Sequence, residues 1–221
     1  MPIPTITVIS DAICPWCFIG KRQLERALAI LADQGQEFAV AWYPYQLNPD
    51  MPVEGVERAA YRAAKFGSVE RGREIDARVG QAGAAVGIDF NFPAMRRTPN
   101  TVAAHRVIRA AGAGAGGRQN AVVERLFTAY FLEGQDIGDP EVLAACDGEA
   151  GGDAAATRAM LALDAHRAEV LAEDNAARRA GISGVPSFVL ANHVLFSGAV
   201  PAETMAEAFA EAWKVLGRDA A

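Results

Sequence analysis

The sequence predicts an α/β protein with a thioredoxin-like order of elements, β-α-β … β-β-α, and an all-helical domain inserted between the two halves. Three observations carry that expectation. Strand-type periodicity at the N-terminus disappears between roughly Val53 and Gly181 and returns near the C-terminus. A Cys14-Pro15-Trp16-Cys17 run lies where the first strand gives way to the first helix, and a Gly-Val-Pro run opens the returning strands. The expected division is residues 1–50 and 182–221 for the discontinuous thioredoxin-like domain, with 51–181 as the insertion.

The first strand alternates Ile6 and Val8 against Thr5, Thr7 and Ile9, with β-branched residues throughout. After a turn at Ser10–Ile13, apolar Leu24, Leu28 and Leu31 recur at helical spacing until Gly35 stops the run. Glu37–Tyr45 alternates Phe38, Val40 and Trp42 against Ala39, Ala41 and Tyr43, a second strand. The three elements make a βαβ unit with parallel strands.

The middle of the chain is Ala-rich and helical. Its clearest stripe is Val122, Val123, Leu126, Phe127, Tyr130 and Phe131. Breaks at Phe92-Pro93, Thr98-Pro99, Gly112–Gly117, Gly138–Pro140 and Gly151-Gly152 imply about six helices. Ser187–Leu190 and Val194–Ser197 then read as a hairpin across Ala191-Asn192-His193. A last amphipathic helix follows Pro201, with Met205, Phe209, Trp213 and Leu216 on one face.

Composition narrows function. A 221-residue chain that is 51% hydrophobic can bury a full core, and three cysteines cannot staple a secreted scaffold. A net charge of −6 lacks the basic footprint of a nucleic-acid binder. No apolar run reaches the length of a membrane span, and no targeting segment is visible. The expectation is a cytoplasmic protein with neither nucleic acid nor membrane as partner.

Cys14 and Cys17 are the candidate catalytic residues. Two residues between cysteines at a helix start bring both sulfurs into one turn, where a disulfide can form. The unpaired N–H groups and macrodipole at that end stabilise a thiolate on the first sulfur. Pro15 suits the first helical turn, where its missing N–H costs nothing. Cys14 is then the attacking thiol, and Cys17, less exposed, resolves the mixed disulfide. Asp11 could tune the thiol or cap the turn. Trp16 is expected to be exposed beside the site, and Lys21 to sit on a solvated helix face. Cys146 reads as a buried small hydrophobe. A zinc site would need further ligands, and His105, His166 and His193 show no ligand spacing, so no metal is expected. Pro186 belongs at the first position of its strand, since it cannot donate to the ladder.

The runs Ser10-Asp11-Ala12-Ile13-Cys14-Pro15-Trp16-Cys17-Phe18-Ile19-Gly20-Lys21 and Gly181–Phe188 resemble the DsbA-like branch of the thioredoxin superfamily, and within it the FrnE-like group. Pro99-Asn100-Thr101, Ala104-His105-Arg106, Leu126–Phe131 and Ser197-Gly198-Ala199 extend the likeness. The resemblance implies thiol–disulfide oxidoreductase chemistry and a cis-proline loop at Val185-Pro186. With Pro15 and Trp16, that loop would contact a disulfide- or thiol-containing protein or small-molecule substrate. No cofactor is implied beyond the cysteine pair, with glutathione as a candidate co-substrate. The same branch holds glutathione-dependent kappa-class transferases and 2-hydroxychromene-2-carboxylate isomerases, the alternative function. Those carry serine where this chain has Cys14, and an acidic pair with Arg where Ala199-Val200-Pro201 stands here. A metal- or partner-binding module is the non-enzymatic alternative.

Overall fold

The computed structural model describes residues 3–112 and 117–216. Strand β1 (Thr5–Ser10), helix α1 (Pro15–Asp33) and strand β2 (Ala39–Pro44) form the expected unit, with β1 and β2 parallel in the register Ile6↔Val40 and Val8↔Trp42. Gly35, at φ +74°, follows α1 and lets the chain reverse toward β2.

The chain next forms β3 (Val56–Glu57), α2 (Arg58–Phe66), α3 (Val69–Ala84), a 3₁₀ turn at Phe92–Ala94 and β4 (Arg97–Thr98). Helices α4 (Val102–Ala111), α5 (Gln119–Phe131), α6 (Pro140–Glu149), α7 (Ala154–Ala162) and α8 (Arg167–Arg179) follow. Two details differ from the sequence reading. Among the described residues seven α-helices, rather than about six, lie between Arg58 and Arg179. Strand structure is also not absent, because β3 and β4 pair antiparallel through Val56↔Thr98 and Glu57↔Arg97. A two-residue ladder is too short to leave a periodic signal. The break at Gly112–Gly117 falls largely outside the described residues.

Strands β5 (Ser187–Leu190) and β6 (His193–Ser197) and helix α9 (Ala202–Leu216) complete the chain. The sheet order is β2-β1-β5-β6, with β5 antiparallel to both neighbours. That order positions the site. Antiparallel pairing of Ile9 with Ser187 sets the residues before β5 beside those after β1, so Val185-Pro186 faces the Cys14 turn.

One apolar cluster runs from Ile6, Val8 and Phe188 through Phe18 to Phe127 and Phe131. Phe18, in the first turn of α1, stacks on Phe127 at 5.0 Å and on Phe131 at 6.1 Å. Such pairs add about 0.5–1.5 kcal/mol beyond their buried area and fix the start of α1 against α5. A smaller cluster of Ile9, Tyr45, Ala177 and Ile182 covers the other side of β1. Among the described residues no helix is long and apolar enough to cross a membrane.

Candidate active site

Cys14 is the N-cap residue of α1, extended at φ −91° and ψ 112°, with Pro15 in the first turn. Its N–H donates to the Asp11 carbonyl at 3.0 Å, and its carbonyl accepts from Cys17 N–H at 3.0 Å, which closes the turn. No acidic side chain occupies that first turn, so the N-terminal dipole is left to the sulfur. Cys14, Cys17 and Cys146 are all free thiols.

The two active-turn thiols differ in surroundings. Both are buried, Cys14 at 4% and Cys17 at 1% exposure, but Cys14 lines an open cleft of roughly 340 Å³ and Cys17 lines none of it. Burial pushes the Cys17 thiol well above its ordinary pKa, reinforced by the neighbouring Cys14 and opposed by the Ser10 hydroxyl and the Asp11 backbone N–H. The Cys14 thiol lies 3.7 Å from the Val185 carbonyl, which accepts from it. The Val185–Pro186 peptide is cis, and Pro186 is buried under the turn. Gly20 allows that contact: a Cβ there would come within 2.8 Å of Pro186 Cγ.

Of the site residues expected from sequence, Cys14, Pro15, Trp16 and Val185 line one cleft, and Trp16 is 43% exposed. Asp11 does not reach it. Its carboxylate is fully buried, accepts from Leu47 N–H at 2.7 Å through Oδ2, and turns Oδ1 toward His105 Nε2 at 3.4 Å.

Lys21 corrects the sequence reading. Far from being solvated, it is 2% exposed, ion-paired to Glu25 and, at 2.9 Å, to Glu124 on α5. Arg22 joins Glu124 as well. Burial alone would raise the Glu124 carboxyl, but these two cations outweigh it and hold it below the usual range. The pairing is invisible in sequence because its partner is more than a hundred residues away.

The opposite wall of the cleft was also missed. It is built by α2, which carries Arg58, Tyr61, Arg62 and Lys65 on one face, with Asp76 of α3 behind. Asp76 holds Arg58 and Arg62, at 3.1 and 2.7 Å. Lys65 donates to Tyr61 Oη at 2.6 Å and makes no ion pair among the described residues. The helical spacing of these four was the available signal, a polar stripe with period 3.6. Ile75, Val79, Phe92, Met95 and Phe131 make the floor apolar. The cleft therefore combines a thiol at a helix N-terminus, an apolar floor and a cationic rim, a setting for attack on a sulfur carried by an anionic, partly apolar molecule. Among the described residues no three His, Cys, Asp or Glu side chains are grouped to hold a metal ion.

Comparison with known proteins bears on the same features. The model of the DSBA-like thioredoxin domain matches residues 5–210. The uncharacterized protein YwbO of Bacillus subtilis is 28% identical over 193 residues, 86% of this chain and 88% of that one. The crystal structure of a probable DsbA oxidoreductase from Streptomyces coelicolor superposes with a TM-score of 0.85 at 29% identity, covering 96% of this chain and 91% of that one. The cytosolic disulfide reductase DsbM from Pseudomonas aeruginosa, in a structure with GSH, shares the fold at a TM-score of 0.61 and 21% identity, over 95% and 98% of the two chains.

Proposed function

The chain belongs to the family of DSBA-like thioredoxin domains, and from that premise we propose that it is a dithiol–disulfide oxidoreductase working through Cys14 and Cys17. The observation that carries the reading is the asymmetry of the two thiols, one at a helix N-terminus in an open cleft and the other sealed one turn behind it.

In the reducing direction the Cys14 thiolate attacks one sulfur of a substrate disulfide. The substrate S–S bond breaks, its second sulfur leaves and takes a proton, and a Cys14–substrate mixed disulfide forms. The Cys17 thiolate then attacks Cys14 Sγ, releasing the second substrate thiolate and leaving a Cys14–Cys17 disulfide. Two electrons pass from the protein to the substrate. The Val185 backbone, beside Cys14, pairs with an extended substrate as an added strand would. Pro15 and Trp16 form the adjoining wall, and Pro186 fixes the loop from beneath.

Thiol-dependent insulin reduction should be lost entirely in Cys14→Ser. Cys17→Ser should instead accumulate mixed disulfides that identify the substrates by mass spectrometry. A wild-type protein that exchanges with no disulfide overturns the reading.

Glutathione as co-substrate is a second reading, favoured by the cleft's charge. Three cations, Arg58, Arg62 and Lys65, face one carboxylate, Asp76, in a protein of net charge −6. DsbM, a neighbour whose structure holds GSH, supports it at the level of fold. Glutathione-dependent turnover persisting in Cys17→Ser would favour an isomerase or transferase of the 2-hydroxychromene-2-carboxylate isomerase or kappa-class type over dithiol exchange. A cytoplasmic location and membership of the FrnE-like group, on the Ser10–Lys21 run, belong to the same proposal.

A further inference from the structure

We propose that His105, held by Asp11, relays the proton of the buried Cys17 to solvent on the side of the molecule away from the substrate cleft. The proposal rests on the exchange reading above, and specifically on its second step. There Cys17 must lose a proton while Cys14 carries the substrate in the cleft. Cys17 is 1% exposed, so that proton has no direct path to water.

Behind Cys17 the structure offers one. The Ser10 hydroxyl is one of the two groups that lower the Cys17 thiol, the Asp11 backbone N–H being the other. Ser10, Trp42 and His105 also line a small cavity of about 10 Å³, near the space of a single water. Trp42 Nε1 is buried without a hydrogen-bond partner. A water in that cavity has Ser10, Trp42 and His105 as neighbours, within the two to four polar partners such a site requires.

Asp11 Oδ1 and His105 Nε2 are likewise buried and without hydrogen bonds, although they face each other at 3.4 Å. Two such atoms left facing each other are costly unless a proton is shared between them at some stage of the cycle. With Nε2 turned to the carboxylate, Nδ1 is the nitrogen left to accept the incoming proton. Leu47 N–H pins the other carboxylate oxygen.

His105 also lines a second, outer cavity of roughly 350 Å³ with Trp42, Tyr43, Arg109, Gln119, His166 and Glu173. No residue of either cavity lines the cleft at Cys14.

The charged and titratable groups facing His105 are Asp11 after β1, Tyr43 of β2, Arg109 on α4 itself, His166 ahead of α8 and Glu173 on α8. Arg109 and Glu173 are paired with each other. Helix α5 adds only Gln119 and apolar side chains, and α6 and α7 add nothing to these cavities.

The step balances as follows. Cys17 passes its proton through the Ser10 hydroxyl and the cavity water to His105, becoming a thiolate. The thiolate attacks Cys14 Sγ, and the substrate sulfur leaves into the cleft, where it takes a proton from solvent. His105 then gives its proton to water in the outer cavity.

Stopped-flow reaction of the reduced protein with Ellman's reagent separates the two steps, because Cys14 attack and Cys17 resolution each release one coloured thiolate. In His105→Gln the first phase should stay within about twofold. The second should slow at least about tenfold at pH 7, in line with general-base effects, and rise in proportion to hydroxide. Asp11→Asn should slow the second phase less and shift its pH profile. Trp42→Phe, which keeps an aromatic side chain and removes the donor, should slow it a few-fold.

A folded His105→Gln with an unchanged second phase and pH profile overturns the relay alone. If that variant does not fold, unchanged second phases in Asp11→Asn and Trp42→Phe overturn it. Equal slowing of both phases also overturns it, as a structural effect. A wild type without the first phase overturns the exchange reading, and the relay with it.

Discussion

The turn from Cys14 to Cys17 separates two regions that share no lining residue: a cleft in front and a pair of cavities behind. The cleft is open, floored by apolar side chains and rimmed by the cations of α2. Behind the turn lie buried polar groups: Ser10 and His105 line a space the size of one water, and Asp11 faces His105. The difference suits the roles proposed for the two sulfurs. An attacking thiolate needs access and positive potential, while a resolving thiol needs shelter from other oxidants. One helical turn supplies both, because the N-cap residue sits at the helix end and the residue three positions on points into the protein.

Variants can break this comparison or sharpen it. The largest effect after loss of Cys14 is expected from Phe127→Ala. Phe127 lines the inner back cavity and stacks on Phe18, so its loss opens the wall between the two regions. Thermal unfolding should report about 3–5 kcal/mol of destabilisation. Gly20→Ala comes next. The added methyl meets the Pro186 ring, which cannot swing aside as a flexible chain end could. A loss of about 1–3 kcal/mol is expected, with slower Cys14 exchange because the Val185 loop shifts. An unchanged melting temperature and rate would show that the loop tolerates displacement.

Lys65→Met tests the cleft alone. Lys65 makes no ion pair, so its loss should raise KM for a carboxylate-bearing disulfide roughly three- to tenfold at low salt and flatten the salt dependence, with stability unchanged. A neutral disulfide substrate should barely respond. The smallest effect concerns the cysteine outside both regions. Burial raises the Cys146 thiol to about 11, so brief alkylation of the native protein near pH 7.5 should label Cys14 and spare Cys146. Labelling of Cys146 should grow only as the pH approaches that value, as peptide mapping would show.

Much of the cleft was legible in the sequence. The Cys-x-x-Cys spacing, Pro15 in the first turn and Pro186 ahead of a strand each have a local physical cause. The α2 stripe was also legible in principle, since Arg58, Tyr61, Arg62 and Lys65 repeat at helical spacing, but nothing local says that this face meets Cys14. The back region was not legible. His105 and His166 lie 61 residues apart on unconnected elements, yet line one cavity. Lys21 carried the pattern of a surface residue and is buried against Glu124.

The sequence by itself therefore determined the order of elements, the βαβ start, the closing hairpin and helix, and the turn that carries the two cysteines. Each depends on periodicity, caps or spacing within a few residues. The tertiary structure decided which side chains surround that turn: Val185 before it, the α2 cations across the cleft, and Asp11 with His105 behind. Those neighbours come from the strand order β2-β1-β5-β6 and from the packing of helices distant from one another in the chain. Contacts of that kind are set by burial of the whole apolar core, which no local stretch of sequence encodes.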